Sequence, residues 1–556
     1  MTEVGRVCTN CGTENPAEAR FCFSCGSPLE AEAAPSAETR KTVTVLFCDL
    51  VGSTAMGEQL DPETLRGLLT RSFDKVRAIV ESHGGVVEKF IGDAAMAVFG
   101  IPRVHEDDAL RAVRAAAEIR DALQAVTGVG GGATVAWRTG IATGEVVAGD
   151  ATGGQRLVTG DAVNVAARLQ QTAQPGEILI TAETHQLVRD AVQVEPMGEV
   201  TVKGRQAPIE TLRLLDMDRS AAGHERRFDS PMVGRERPRR LLDEAFAEAR
   251  DQRLCHLFTI LGSAGVGKTR LLNEFVTSLG DSARVVHGRC LSYGEGITYW
   301  PISEIVRAET GIGLTPGGEP AADVARIAEV LGDNADRDRI AERVGEAIGL
   351  TRGEPVPDET PWAIRSFLEA LAADRPLVVV LEDLQWAQPL LLDLVEHIAD
   401  WSRDAPILLI VLARQELLEL RPSWGGGKRS ATIISLEPLN AEETSQLIDN
   451  LLGQAHLPAT IFDRIRTAAE GNPLFVEELL EMLIDDGALA RTNGEWTASR
   501  DLASLAVPPT IQALLSARLD GLAGPDRAIL ERGSVEGTVY HRDAVAALAP
   551  VALPAS

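Results

Sequence analysis

The stretch TVTVLFCDLVGST (residues 42–54) predicts an apolar strand that ends at Asp49. A second stretch, EKFIGDAAMAVFG (88–100), puts Asp93 in a tight turn between two apolar runs. Two carboxylates that converge at neighbouring strand ends repel each other unless a divalent cation neutralises them. The pair therefore predicts a site for two Mg²⁺ or Mn²⁺ ions, suited to in-line displacement at phosphorus. A strand-terminal Asp on its own more often forms a turn, so the surrounding sequence has to distinguish a turn from a metal site.

Residues 41–215 contain further predicted strands, with helices between them. Further strands are expected at AWRTGIATGEVVAG (136–149) and EILIT (177–181). A helix is expected after Asp61, where Pro62 suits the first helical position, and another is expected over 107–126. Strands that alternate with helices predict an α/β or α+β domain.

Four motifs in this region, in order, carry a resemblance. They are FCDLVGST (47–54), KFIGDAAMAVFG (89–100), IATGEVVAG (141–149) and GDAVNVAARL (160–169). Together they resemble the class III nucleotidyl cyclases, which make cyclic AMP or cyclic GMP. The resemblance implies an α+β, ferredoxin-like fold for residues 41–215.

The resemblance also implies roles for individual residues. Asp49 and Asp93 would bind two metal ions, Asn164 would orient the ribose, and Arg168 would meet the charge that grows on the α-phosphate. Asn164 and Arg168 are four residues apart and so share one face of a helix. Arg suits phosphate because its planar group donates several hydrogen bonds. Lys89 matches the lysine that reads adenine.

One position departs from the family pattern. In the family, the lysine that matches Lys89 has a polar partner residue. The position of that partner, seven residues before Asn164, is occupied here by Leu157. Leucine cannot hydrogen-bond a base, so base selection would be looser or would use backbone groups or Thr159. ATP is expected over GTP because the lysine is retained. A guanylate cyclase is one alternative, and a regulatory scaffold with a catalytically weak, nucleotide-sensing cyclase domain is another, favoured by Leu157.

In this family the site forms between two cyclase domains, one giving the aspartates and the other giving the Lys, Asn and Arg. This chain has one such domain with both sets. The resemblance therefore implies a homodimer with two equivalent sites.

A second nucleotide site is predicted further along the chain. The stretch GSAGVGKT (262–269) follows the apolar strand LFTIL and fits the P-loop pattern, in which backbone amides wrap phosphates. Its functional residues are Gly262, Gly265, Gly267, Lys268 and Thr269, the last with a hydroxyl for Mg²⁺. Glu382 and Asp383 end a later apolar strand and can hold the Mg²⁺ shell. The repeated order of strand, turn and helix predicts a doubly wound parallel sheet.

Residues from about 231 onward resemble the STAND class of signalling ATPases, related to AAA+ proteins. The resemblance rests on VGRE (233–236), LEDLQWAQP (381–389) and GNPLFVEELL (471–480). It implies a sensor role for Arg414 and a lid contact to nucleotide by Gly471 and Pro473. Glu382 stands where Asp is commoner, which leaves open whether this domain hydrolyses ATP or only binds it.

The N-terminus carries two Cys-x-x-Cys pairs, formed by Cys8, Cys11, Cys22 and Cys25. Four thiolates close a tetrahedral shell, so a structural Zn²⁺ in a zinc ribbon is expected. Unligated thiols are the alternative.

Composition limits the remaining possibilities. The chain of 556 residues has 54 Lys+Arg against 81 Asp+Glu, for a net charge of −27. This charge disfavours coating of nucleic acid or anionic membrane. No apolar run approaches the roughly 20 residues of a membrane span, and no secretory signal is visible, so we expect a cytoplasmic protein. No DNA partner is expected, because residues from Asp501 onward lack a basic face.

The sequence thus predicts a multidomain protein: zinc ribbon (1–27), linker (28–40), cyclase domain (41–215), linker (216–230), P-loop ATPase domain (231–436), helical lid (437–500) and winged-helix-like segment (501–556). ATP would serve both as the cyclase substrate and as the ligand of a switch. The expected activity is conversion of ATP to 3′,5′-cyclic AMP and pyrophosphate, regulated by the ATPase in intracellular signalling. The upstream signal is not readable from the residues.

Overall fold

The chain folds into two compact units, and the boundary between them falls between Gly223 and His224. The structure is a computed structural model. It describes residues 6–7, 14–15, 39–51, 61–124, 136–150, 156–200, 208–218, 230–291, 298–313, 320–351, 359–452, 459–485, 487–492, 495–498, 508–522, 524–535, 541–542 and 545.

The first unit consists of strands with helices inserted between them. Its strands are β1 (Arg6–Val7), β2 (Glu14–Asn15), β3 (Thr39–Leu50), β4 (Val86–Ile91), β5 (Ala94–Phe99), β6 (Trp137–Asp150), β7 (Arg156–Thr159), β8 (Ile178–Thr181), β9 (Val192–Val200) and β10 (Ile209–Met217). Its helices are α1 (Pro62–Ser82), α2 (Asp108–Gln124), α3 (Asp161–Thr172) and α4 (Ala182–Val188).

Eight of these strands form one mixed sheet. Its order is β4-β5-β3-β6-β8-β10-β9, with β7 paired to β6. Side chains of β3 alternate between two cores: Leu46 and Cys48 pack on one face of the sheet, and Val45 and Phe47 pack on the other. Successive strand residues point to opposite faces, so a strand that is apolar throughout must be covered on both. Strands and helices occur where the sequence predicted them, and the α+β fold class is confirmed.

The second unit contains a strand, a P-loop and a helix near its start, followed by further strands and helices. Its strands are β11 (Cys255–Gly262), β12 (Arg284–Arg289), β13 (Leu377–Glu382), β14 (Ile407–Ala413), β15 (Ala431–Leu436), β16 (Leu489–Thr492) and β17 (Glu495–Ala498). Its helices are α5 (Glu236–Gln252), α6 (Lys268–Leu279), α7 (Trp300–Thr310), α8 (Pro320–Val330), α9 (Arg337–Ala347), α10 (Glu359–Leu371), α11 (Pro389–Trp401), α12 (Glu416–Leu420), α13 (Ala441–Leu451), α14 (Ala459–Ala469), α15 (Pro473–Asp485), α16 (Pro509–Gly521) and α17 (Gly524–Gly533).

The five-stranded sheet of this unit is parallel, in the order β12-β13-β14-β11-β15. Along β13, Leu377 and Val379 pack into one core and Val378 and Val380 into the other. Helices on both faces of a parallel sheet make the doubly wound architecture that the sequence predicted. Because the strands are parallel, the carboxyl ends of β11 and β13 lie at the same edge of the sheet.

Candidate functional site

Asp49 lies in the interior of the first unit, at the end of β3. It is 8% exposed, and its backbone is paired with Ala94 of β5 and with Arg138 of β6. The Arg138 guanidinium donates from Nε (3.1 Å) and Nη2 (2.7 Å) to Oδ2 of Asp49. The Gln170 side chain donates from Nε2 to the same oxygen at 2.9 Å. Three donors thus fix one carboxylate oxygen.

The other oxygen of Asp49 suits a metal ion. Among the described residues, no hydrogen bond reaches Oδ1. Hard cations such as Mg²⁺ and Mn²⁺ prefer carboxylate oxygens, and Mg²⁺ is commonly held by one or two carboxylates plus substrate phosphates. The residues present therefore fit the expected ion type.

Asp93 reaches the same end of the sheet through the turn that joins β4 and β5. Gly92 has φ of 64°, a left-handed conformation that glycine adopts without strain. Asp93 directly precedes Ala94, the residue paired with Asp49, and its backbone carbonyl accepts from Leu50 N at 3.4 Å. The two aspartates predicted from sequence are therefore neighbours across the β3–β5 pair. Within the described part of the chain, no cluster of three or more His, Cys, Asp or Glu forms a complete metal site, so substrate oxygens or water would have to complete the shell.

Helix α3 carries the other predicted residues on a different face. Asn164 and Arg168 are both exposed, and Arg168 Nη1 donates to Gln171 Oε1 at 2.9 Å. Gln170, which holds Asp49, lies on the buried face with Val165 and its neighbours. Within one protomer, Asn164 and Arg168 therefore do not join the aspartates.

Close contact between α3 and β6 explains why Gln170 reaches Asp49. A Cβ atom at Gly140 would lie 2.3 Å from both the Ala166 carbonyl oxygen and the Gln170 amide nitrogen. Only glycine permits that approach. The helix therefore lies directly on the strand that also carries Arg138.

Lys89 lies on β4 beside an irregularity of the strand. The register with β5 shifts between Val87 and Lys89, so Glu88 is an extra, bulged residue. The Lys89 side chain is 42% exposed, and its Nζ lies 3.6 Å from Glu88 Oε1. Burial raises the pKa of Glu88, with the charge of Lys89 and the amide of Val158 acting in the opposite direction. The backbone of Leu157 pairs with Gly149 on β6.

Sequence reasoning missed Arg138 and Gln170. The available signals were an Arg inside an otherwise apolar strand, AWRTGIA, and a Gln at a helix position whose neighbours in the pattern are apolar. Charged or polar groups at buried positions need partners, and Asp49 was the candidate partner.

The P-loop of the second unit has the geometry that its glycines predict. Gly265 and Gly267 have φ of 82° and 102°. Lys268 Nζ donates to the carbonyl oxygens of Gly262 (2.8 Å) and Ser263 (3.0 Å). Thr269 lies in the first turn of α6.

Glu382 and Asp383, the acidic pair at the end of β13, lie close to the guanidinium of Arg289. Arg289 Nη2 lies 3.4 Å from Glu382 Oε2, and its Nε lies 3.7 Å from Asp383 Oδ2. Gln385 donates to Asp383 Oδ1 at 3.2 Å and accepts from the backbone amide of Arg414 at 3.2 Å. Arg414 is therefore linked to the acidic pair through Gln385.

The predicted lid motif contacts the P-loop directly. Asn472 Nδ2 donates to the Ala264 carbonyl oxygen at 3.0 Å, and Leu474 N approaches the Gly265 carbonyl at 3.4 Å. Gly471 has φ of 75° and lies too close to the backbone of Leu439 for any side chain. A cavity beside the loop is lined by residues that include Met232, Val233, Arg270, Leu447, Pro473 and Glu477.

The four N-terminal cysteines, Cys8, Cys11, Cys22 and Cys25, lie outside the described residues. The short strands β1 and β2 pair antiparallel, Arg6 with Asn15 and Val7 with Glu14. In sequence, Cys8 and Cys11 fall between these strands.

Comparison with known protein families matches four regions of the chain. Residues 36–215 match the adenylate and guanylate cyclase catalytic domain, residues 231–411 an AAA ATPase domain, and residues 7–29 a zinc-ribbon domain. The chain is a cyclase domain fused to an AAA ATPase domain, with a zinc ribbon ahead of them. Residues 440–496, within the predicted lid, match a domain of unknown function.

Curated relatives match this chain over different lengths. An uncharacterized protein of Rhizobium meliloti is 28% identical over 540 residues, which are 92% of this chain and 50% of the relative. The adenylate cyclase of Mycobacterium tuberculosis is 34% identical over 172 residues, which are 29% of this chain and 37% of that protein. The chain thus spans half or less of the length of these curated relatives.

A solved structure also resembles the cyclase domain. The adenylyl cyclase CyaB from P. aeruginosa is 30% identical, with a TM-score of 0.31, and the match covers 33% of this chain and 99% of that one. Among helices built from described residues, none has the length and apolar character to cross a membrane.

Proposed function

We propose that this protein is an adenylate cyclase that converts ATP to 3′,5′-cyclic AMP and pyrophosphate at sites shared between two protomers. One observation carries the proposal: Asp49 and Asp93 are neighbours at the end of β3, and the hydrogen bonds that described residues make to Asp49 leave Oδ1 available. Such an arrangement is suited to holding metal ions against a triphosphate.

Each residue then has a separate task. Asp49 and Asp93 would hold two Mg²⁺ or Mn²⁺ ions, whose positive charge would make the ribose 3′-hydroxyl easier to deprotonate. Asn164 orients the ribose, so that its 3′-oxygen faces the α-phosphorus. Arg168 donates to the α-phosphate oxygens as negative charge grows there. Lys89 contacts the base.

The two faces of α3 support the proposed dimer. Because Asn164 and Arg168 are exposed, on the side of the helix away from Gln170, they are available to a second protomer. A twofold homodimer would bring the aspartates of each protomer to the α3 residues of its partner, twice.

The second unit is proposed to be a STAND-type ATP-binding switch that regulates the cyclase. Its P-loop, the acidic pair and the lid motif supply phosphate, Mg²⁺ and base contacts. Direct contact between Asn472 and the P-loop supports the idea that the lid responds to nucleotide.

The decisive experiment incubates purified protein with Mn²⁺ and either ATP or GTP, and identifies the products by mass. Cyclic AMP is expected from ATP. Cyclic GMP as the preferred product would instead mean a guanylate cyclase, and no cyclic product would favour the regulatory scaffold. Asp93→Asn should abolish the product, whereas Asp74→Asn, on the exposed face of α1, removes the same charge and should not.

A further inference from the structure

Glu88 is a buried carboxylate beside the lysine proposed to contact the base. Its side chain is 6% exposed, whereas that of Lys89 is 42% exposed. The bulge in β4 places Glu88 outside the regular pairing with β5. Bulges re-aim side chains and are common next to active sites.

The two oxygens of Glu88 have different surroundings. Oε1 lies 3.6 Å from Lys89 Nζ. The backbone amide of Val158, on β7, lowers the pKa of the Glu88 carboxyl, against the larger raising effect of burial. Oε2 is buried and has no hydrogen-bond partner in the described part of the chain. A buried carboxylate oxygen without a donor is costly, so a donor supplied by a ligand would be bound strongly.

Val158 directly follows Leu157, the position where the family pattern expects a polar partner for the lysine. Glu88 is therefore within electrostatic reach of the strand that carries Leu157. We propose that Glu88 replaces it and accepts a hydrogen bond from the 6-amino group of adenine, beside Lys89. This inference rests on the proposed cyclase function and names the group that selects its base.

The chemistry of the base edge fits the pair. Adenine presents an amino donor next to the N1 acceptor, which matches a carboxylate acceptor next to an ammonium donor. Guanine presents an acceptor at O6 and two adjacent donors, at N1 and at the 2-amino group, so full pairing of its edge needs two free acceptor positions beside the ammonium. Glu88 has one oxygen without a partner, so a base with a single donor at this edge is favoured.

The test pairs a protein change with a substrate change. ATP is compared with purine riboside 5′-triphosphate, which lacks the 6-amino group, in wild type, Glu88→Met and Glu88→Gln. Wild type should prefer ATP by about 10- to 100-fold in kcat/KM, the range for a hydrogen bond to a charged group. Glu88→Met should lose most of this preference, and Glu88→Gln, which keeps one acceptor, should retain part of it.

Glu210→Gln removes an exposed carboxylate on β10 and should keep the wild-type preference. A folded Glu88→Met protein with the wild-type preference would overturn the inference while leaving the cyclase proposal intact. If wild type forms no cyclic product at all, the proposed function fails instead. Equilibrium binding of the same two nucleotides, measured in a Lys268→Ala background to remove the P-loop site, would then decide the role of Glu88: equal effects of Glu88→Met on both nucleotides would overturn it.

Discussion

Asp49→Ala and Arg168→Ala chains, each inactive alone, should regain about one quarter of wild-type activity when mixed in equal amounts and allowed to exchange. The magnitude follows from the two faces of α3. Gln170 holds Asp49 of its own protomer, while Arg168 faces outward, so the two changes affect different halves of a shared site. In a heterodimer both changes meet in one site, and the other site is intact. About half of the dimers in a random mixture are heterodimers, each with one of its two sites working.

The assay measures cyclic nucleotide formed by the mixture and by heterodimers isolated with two different affinity tags. Isolated heterodimers should have about half the wild-type rate. A mixture of Asp49→Ala with Asp93→Ala is the matched control, because each of its sites has one damaged aspartate and no recovery is expected. Heterodimers whose composition is verified by native mass spectrometry, yet which stay as inactive as either parent, would refute the shared site.

Three further predictions follow from the structure. Gln170→Met removes one of the three donors to Asp49 and should weaken Mn²⁺ binding, measured by electron paramagnetic resonance, by about 10-fold; an unchanged affinity would contradict the positioning role. Lys268→Ala should abolish nucleotide binding at the P-loop, seen by equilibrium dialysis with a non-cyclisable ATP analogue, and should alter the cyclase rate; equal rates in both proteins under all nucleotide conditions would remove the proposed coupling. Burial raises the pKa of Cys48 and Cys255 to about 12, so these thiols should resist iodoacetamide at pH 8 in the folded protein. Chelation of zinc should expose four of the seven cysteines to alkylation, counted by mass, and labelling of all seven without denaturant would contradict the burial.

Much of the candidate site could be predicted because its signals are local in sequence. Asp49 ends one apolar strand and Asp93 lies in the turn before another, so the pairing of these two strands makes the aspartates neighbours. Four residues of helix are enough to align Asn164 with Arg168. The P-loop pattern likewise fits within eight consecutive residues, 262–269, and its left-handed glycines occur where the pattern requires them.

The partners of Asp49 could not be predicted in the same way. Arg138 and Gln170 are 89 and 121 residues away along the chain. Their contact depends on the pairing of β3 with β6 and on the close approach of α3 at Gly140. The bulge at Glu88 could not be predicted from sequence either, because a register shift is defined only relative to the neighbouring strand.

The sequence alone therefore determined the fold classes, and it supplied the candidate residues for binding metal, phosphate and base, because these depend on residue type and short spacing. Only the tertiary structure decided which oxygen of Asp49 is held, which face of α3 is left outward and where the register of β4 against β5 shifts. Those features arise from contacts between segments far apart in the chain, and pairing at that distance is set by the packing of the whole sheet.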